Sequence, residues 1–194
     1  DMTIDLPPGA TRLDLQAVQR ALKRLDLDVY APLDGVLADY VRFYNLDLER
    51  ELAGVRHYLG WVDSYGYRVV AHVFMPARPR GTVFMVHGYL DHAGLYGHLI
   101  RDCLRQDHAV FIFDLPGHGL SSGNRIDIDD FAHYQEVLTE LLAAHGPRLP
   151  QPFYGVGQST GGGILMDHVL SRCAARQAPA FRKVLLLAPL VVRS

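Results

Sequence analysis

Four short apolar runs, at 82–86, 109–113, 153–156 and 184–187, show no alternation of apolar and polar residues. A strand covered on one face alternates; a strand covered on both faces need not. Segments of helical period at 94–106, 130–145 and 160–175 separate the runs. Strand and helix in turn predict right-handed crossovers, and so an α/β fold with a mostly parallel sheet and helices on both faces. Just before these runs, 55–62 and 67–74 are rich in β-branched and aromatic residues and flank Asp63-Ser64-Tyr65-Gly66, which is the pattern of a hairpin.

The first 54 residues read differently. Leu13, Leu15, Val18, Leu22 and Leu25 recur mostly at spacings of three and four, predicting an amphipathic helix over 11–25. A second helix is expected over 34–44. Residues 1–54 carry no motif of their own and form an N-terminal helical extension that is expected to pack on the core; 55–194 then hold about six strands. Cys103 and Cys173 fall in helical stretches and are expected to be buried free thiols. A formal charge of −2 with scattered Lys and Arg gives no footprint for nucleic acid. No stretch approaches the ~20 apolar residues of a membrane span. A cytoplasmic location is the default, with contact between the extension and a membrane surface left open. No Cys, His or carboxylate set has metal-ligand spacing, so neither metal nor cofactor is expected.

Chemistry concentrates at three places. Gly157-Gln158-Ser159-Thr160-Gly161 follows an apolar run and opens a helical segment. This is the context of a nucleophile elbow, in which a strained turn lifts the serine Oγ above the strand ends. Glycines at 157 and 161 let strand and helix approach closely, and the helix N-terminus offers N–H groups to a developing oxyanion. A plain tight turn and a phosphate cradle are the competing readings of the same glycines. His87-Gly88-Tyr89-Leu90-Asp91-His92 follows the 82–86 run, where a loop would supply a second oxyanion donor; the Tyr89 N–H is the candidate. Gly88, Leu90 and Gln158 are read as substrate-binding, and His87 and His92 as structural loop histidines. The third segment, Asp114 to Gly123, is dense in Pro, Gly and Ser, and reads as a rigid loop supporting the site.

In this order, His87-Gly88, then Asp114-Leu115-Pro116-Gly117-His118-Gly119-Leu120-Ser121, then the Gly-x-Ser-x-Gly at 157–161 resemble the monoacylglycerol lipase and lysophospholipase branch of the α/β-hydrolase superfamily. The resemblance covers about 55–190. It implies Ser159 as nucleophile, the Tyr89 and Thr160 backbone N–H groups as oxyanion donors, and 114–122 as a flanking loop. It also implies hydrolysis of carboxylic esters, among them monoacyl lipids, without a cofactor. The family's acid and histidine follow later strands. Here the only histidine after Ser159 is His168, nine residues along a helix and so ~13 Å up its axis, too far to take the serine proton. Asp167 fails likewise. The triad acid and histidine are therefore expected after residue 194, with these 194 residues an N-terminal portion. Acyl transfer, thioester or aminopeptide cleavage on the same fold stay open, as does a non-catalytic interaction module. Acyl-chain length, head group and oligomeric state are not legible.

Overall fold

The structure is a computed structural model in which residues 13–124 and 130–187 are described. Strands β1 (Arg56–Ser64), β2 (Tyr67–Met75), β3 (Thr82–Val86), β4 (Ala109–Phe113), β5 (Phe153–Gln158) and β6 (Lys183–Leu187) form one sheet, in the order β1-β2-β4-β3-β5-β6. Strand β2 is antiparallel to β1 and β4; β3, β4, β5 and β6 are mutually parallel. Around them lie α1 (Leu15–Ala21), α2 (Gly35–Phe43), α3 (Leu48–Glu51), α4 (Gly97–Arg105), α5 (Asp130–His145) and α6 (Thr160–Ala174). The hairpin closes more tightly than its sequence suggests. Ser64 pairs with Tyr67, leaving Tyr65 (φ 49°) and Gly66 (φ 80°) as a two-residue turn with both residues left-handed, which suits the sheet twist.

Sequence parity decides which side of the sheet each strand residue serves. Val70, Phe74, Val83, Met85, Val110 and Ile112 pack with Val18, Tyr40, Val41, Leu46 and Leu48 of the N-terminal region and with Ile100 and Leu104 of α4. Their neighbours Val69, Ala71, Val73, Phe84, Val86, Phe111 and Phe113 pack on the other face with Val137, Leu138 and Leu141 of α5 and Ile164 and Leu165 of α6. Strands β3 and β4 are buried throughout, as their unbroken apolar runs require.

Two expectations need correction. Within the described residues the helix expected over 11–25 spans only Leu15–Ala21, and positions 11 and 12 lie outside them. Past Ala21 the chain extends along β1: Trp61 N–H donates to the Lys23 carbonyl and Leu25 N–H to the Trp61 carbonyl, both at 2.9 Å. Gly60 permits this approach, since a Cβ there would lie 2.6 Å from the Leu25 nitrogen. Helical spacing of leucines cannot register such backbone pairing. Among the described residues Leu185 and Leu186 of β6 are about half exposed. Cys173 is exposed on the outer side of α6, whereas Cys103 is half-buried, with burial pushing its thiol up to about 11. The final residues 188–194 lie outside the described residues.

Between the sheet and α2 sit two buried histidines. His57 Nε2 and His72 Nδ1 are 2.9 Å apart, and His57 stacks on Phe74 at 4.0 Å. Burial, reinforced by the facing His72, holds His57 well below the usual imidazole range. Burial also pushes His72 down to about 4, against the opposing pull of Asp114. An unfolded imidazole binds its proton near pH 6.5. Between those values the unfolded state therefore holds more protons, so stability is full above about pH 6.5 and falls as pH drops towards 4. The loss between pH 7.5 and 5.0 is expected to be on the order of 2 kcal/mol for His72 alone. Urea titrations at the two pH values check it: the slope should flatten in the His57→Phe/His72→Phe variant, and an unchanged slope would locate the dependence elsewhere.

Candidate active site

At the carboxyl end of β5 the chain turns into α6 through Ser159, whose φ of 53° and ψ of −113° lie outside the regions favourable to a residue with a Cβ. Three contacts hold this conformation. Ser159 N–H donates to the Leu187 carbonyl at 3.0 Å, and Gly163 N–H donates to the Ser159 carbonyl at 3.2 Å. Gly157 packs on the first turn of α6, where a Cβ would sit 2.6 Å from the Gly162 nitrogen. The first turn in its turn packs on β3: a Cβ on Gly161 would be driven into the Val86 and His87 carbonyl oxygens. The serine is exposed, and its backbone is thus fixed from both sides.

Beside it runs the loop that leaves β3. Val86 pairs with Gly157, so the chain passes Ser159 at Gly88, where a Cβ would lie 3.2 Å from the Gln158 carbonyl oxygen and 3.7 Å from Ser159 Cβ. Tyr89 and Leu90 form the tip of a turn with Leu90 at φ 59°, and Asp91 N–H donates to the Gly88 carbonyl at 3.3 Å. Both tip side chains are exposed, as is Leu95. The structure therefore brings Ser159, Gly88 and Gln158 together, with Tyr89 and Thr160 following directly on Gly88 and Ser159. Gln158 is engaged: its side-chain amide lies 3.1 Å from the Tyr96 hydroxyl, which leaves less of it for a substrate.

Tyr96 was not legible as part of the site. Its hydroxyl reaches Asp91 Oδ2 at 2.6 Å and accepts the Gly88 N–H at 3.3 Å, so one oxygen joins the loop after β3 to the residue before the serine. Burial and the Asp91 carboxylate raise its pKa, keeping it a phenol. In sequence it is one aromatic in a helical stretch, and nothing local marks these partners.

His87 and His92 fill structural positions. His92 Nδ1 accepts the Gly94 N–H at 3.1 Å and caps a 3-10 turn. His87 is fully buried, with Nδ1 2.7 Å from the Gly88 carbonyl and Nε2 accepting the Leu115 N–H at 2.9 Å. Burial lowers its pKa, with Asp114 opposing. The Asp114 loop supports the site from below. Asp114 is fully buried; its Oδ1 accepts the Ala93 N–H at 2.8 Å and its Oδ2 the Leu120 N–H at 2.9 Å, tying the loops after β3 and β4 together. His118 Nδ1 lies 3.0 Å from the Pro116 carbonyl oxygen, with its ring edge-on to Tyr89.

No described histidine hydrogen-bonds to Ser159. His168 faces α5 instead, with Nδ1 3.2 Å from Thr139 Oγ1. It lines a cleft of about 530 Å³ near the start of β5, at the opposite edge of the sheet from the serine. Among the described residues, no group of three or more His, Cys, Asp or Glu could hold a metal ion, and no helix is long and apolar enough to cross a membrane.

Comparison with known proteins gives a consistent result. Residues 77–194, more than half of the chain, match the family model described as serine aminopeptidase, S33. A monoacylglycerol lipase of Mycolicibacterium smegmatis is 36% identical over 107 residues, covering 53% of this chain and 38% of that protein. Human monoglyceride lipase is 31% identical over 133 residues, or 68% of this chain and 42% of that one. The chain thus spans about two fifths of the length of the curated relatives it matches. Among solved structures, a monoacylglycerol lipase of Paleococcus ferrophilus superposes with a TM-score of 0.51 at 25% identity, over 64% of this chain and 42% of that one. A membrane phospholipase A from a bacterium superposes at 0.58 and 20% identity over 77% and 45%, a likeness of fold alone.

Proposed function

The chain belongs to the serine aminopeptidase S33 family of α/β hydrolases, and from that premise we propose that the protein is a serine hydrolase that cleaves carboxylic esters of monoacyl lipids. One observation carries the reading: Ser159 stands exposed at φ 53° between β5 and α6, with the Gly88 backbone alongside it. In the proposed reaction a base outside the described residues takes the Ser159 proton as Oγ attacks the ester carbonyl. The Tyr89 and Thr160 N–H groups receive the oxyanion. Collapse of the tetrahedral intermediate expels the alcohol, which takes up the proton; water then attacks the acyl-enzyme and releases the acid. Donors of this kind are each worth ~100-fold to 1,000-fold in rate.

Two things favour an apolar acyl ester over an aminopeptide. Relatives at 30% identity or more include lipases of monoacylglycerols and monoglycerides. Tyr89 and Leu90, which follow directly on Gly88 beside the serine, expose apolar surface. The family description nonetheless names peptide chemistry, and an elbow serine does not fix the leaving group. Assay of the full-length protein on a monoacylglycerol, an acyl thioester and an aminoacyl anilide tests the choice. The monoacylglycerol should give the highest kcat/KM, and faster anilide turnover would overturn the ester reading.

A further inference from the structure

The loop that passes the serine is held by a side chain whose proton position can be deduced. Leu115 N–H points at His87 Nε2 from 2.9 Å. A backbone N–H can only donate, so Nε2 carries no proton, and the neutral ring must carry its single proton on Nδ1. That N–H donates to the Gly88 carbonyl at 2.7 Å. The Gly88–Tyr89 peptide is trans, since Gln151–Pro152 is the only cis bond among the described residues. In a trans peptide the C=O and the following N–H point in opposite directions. Fixing the Gly88 oxygen therefore fixes the direction of the Tyr89 N–H, and the far side of the imidazole is anchored in turn to the loop after β4.

We infer that His87 is a positioning residue of the oxyanion site: its Nδ1–H holds the Gly88 carbonyl and thereby aims the Tyr89 N–H at the oxygen that becomes negative. The inference rests on the esterase reading and on Tyr89 as a donor. It deepens that reading by giving the buried histidine a role in rate that is separable from its role in stability. Asp91 N–H, at 3.3 Å from the same carbonyl, is the weaker second hold. The Tyr96 hydroxyl, accepting the Gly88 N–H, restrains the other end of that residue.

Two substitutions divide the functions of the ring. His87→Asn keeps an N–H near the place of Nδ1 and loses the acceptor for Leu115. His87→Gln keeps an acceptor near the place of Nε2 and loses the donor to Gly88. Each removes one buried hydrogen bond, so their thermal midpoints should fall by similar amounts. Their kcat values should not. In the full-length protein, His87→Gln is expected to lower kcat for ester hydrolysis by about 100-fold with KM changed little, and His87→Asn by less than about 10-fold. Equal kcat in the two variants, with wild type active, would overturn the inference and leave the esterase reading standing. An inactive wild type would overturn both. Should either variant fail to fold, nitrogen NMR of the wild-type histidines decides: protonated Nδ1 with bare Nε2 at His87 is expected, and the opposite tautomer would contradict the inference.

Discussion

Ser159→Ala in the full-length protein lowers ester hydrolysis on the order of 10⁶-fold in kcat, while leaving the fold unchanged. The size follows from the serine's role: without Oγ there is no acyl-enzyme, and what remains is the contribution of binding and the oxyanion donors to direct attack by water. The unchanged fold follows from the geometry. The serine is exposed and its side chain makes no hydrogen bond to described residues; its backbone contacts, to Leu187 and Gly163, survive the substitution. Alanine bears the same left-handed φ at a cost close to that of serine, so the free energy of urea unfolding should change by less than about 0.5 kcal/mol. Loss of activity together with a large loss of stability would mean that the serine hydroxyl has a structural partner.

The second large effect is at Gly161, and it runs through the fold. The three atoms nearest to a Cβ at 161 are all backbone: the Val86 and His87 carbonyl oxygens and, at 2.6 Å, the Val86 carbonyl carbon. Backbone of a buried central strand cannot rotate aside as a side chain can, so α6 must move off β3. Gly161→Ala is expected to cost at least about 3 kcal/mol, at the upper end of overpacking changes. In whatever fraction still folds, the shift separates Ser159 and Thr160 from Gly88 and Tyr89; a displacement of about 1 Å costs ~100-fold in rate. Gly163→Ala, two residues on, is the control. Its Cβ meets the far end of the Phe131 ring at 3.1 Å, which can yield, and alanine suits a helix better than glycine. Its stability should lie within about 1 kcal/mol of wild type. A loss at Gly161→Ala as small as that expected at Gly163→Ala would show that the strand-to-helix contact is looser than described.

Which parts of this were legible in the sequence follows from what periodicity can register. β3 and β4 show in the sequence because each is buried on both faces, and that burial is written into four consecutive apolar residues in β3 and five in β4. Ser159 shows because its neighbours had to be glycines: the close passage of α6 over β3 and β5 excludes a Cβ at 157 and 161. Partnerships across the chain leave no such local trace. The extended stretch Leu22–Leu25 has helical spacing, yet pairs with β1 through its backbone. Tyr96 joins Gly88, Asp91 and Gln158 from within a predicted helix, and His57 meets His72 only because β1 lies beside β2.

Fluorophosphonate labelling of the full-length protein, followed by peptide mapping, tests the central claim most directly. An activated serine is expected to label at Ser159 alone, and the label should vanish in Ser159→Ala. A folded wild-type protein that takes up no label, or takes it up at another residue, would contradict the account.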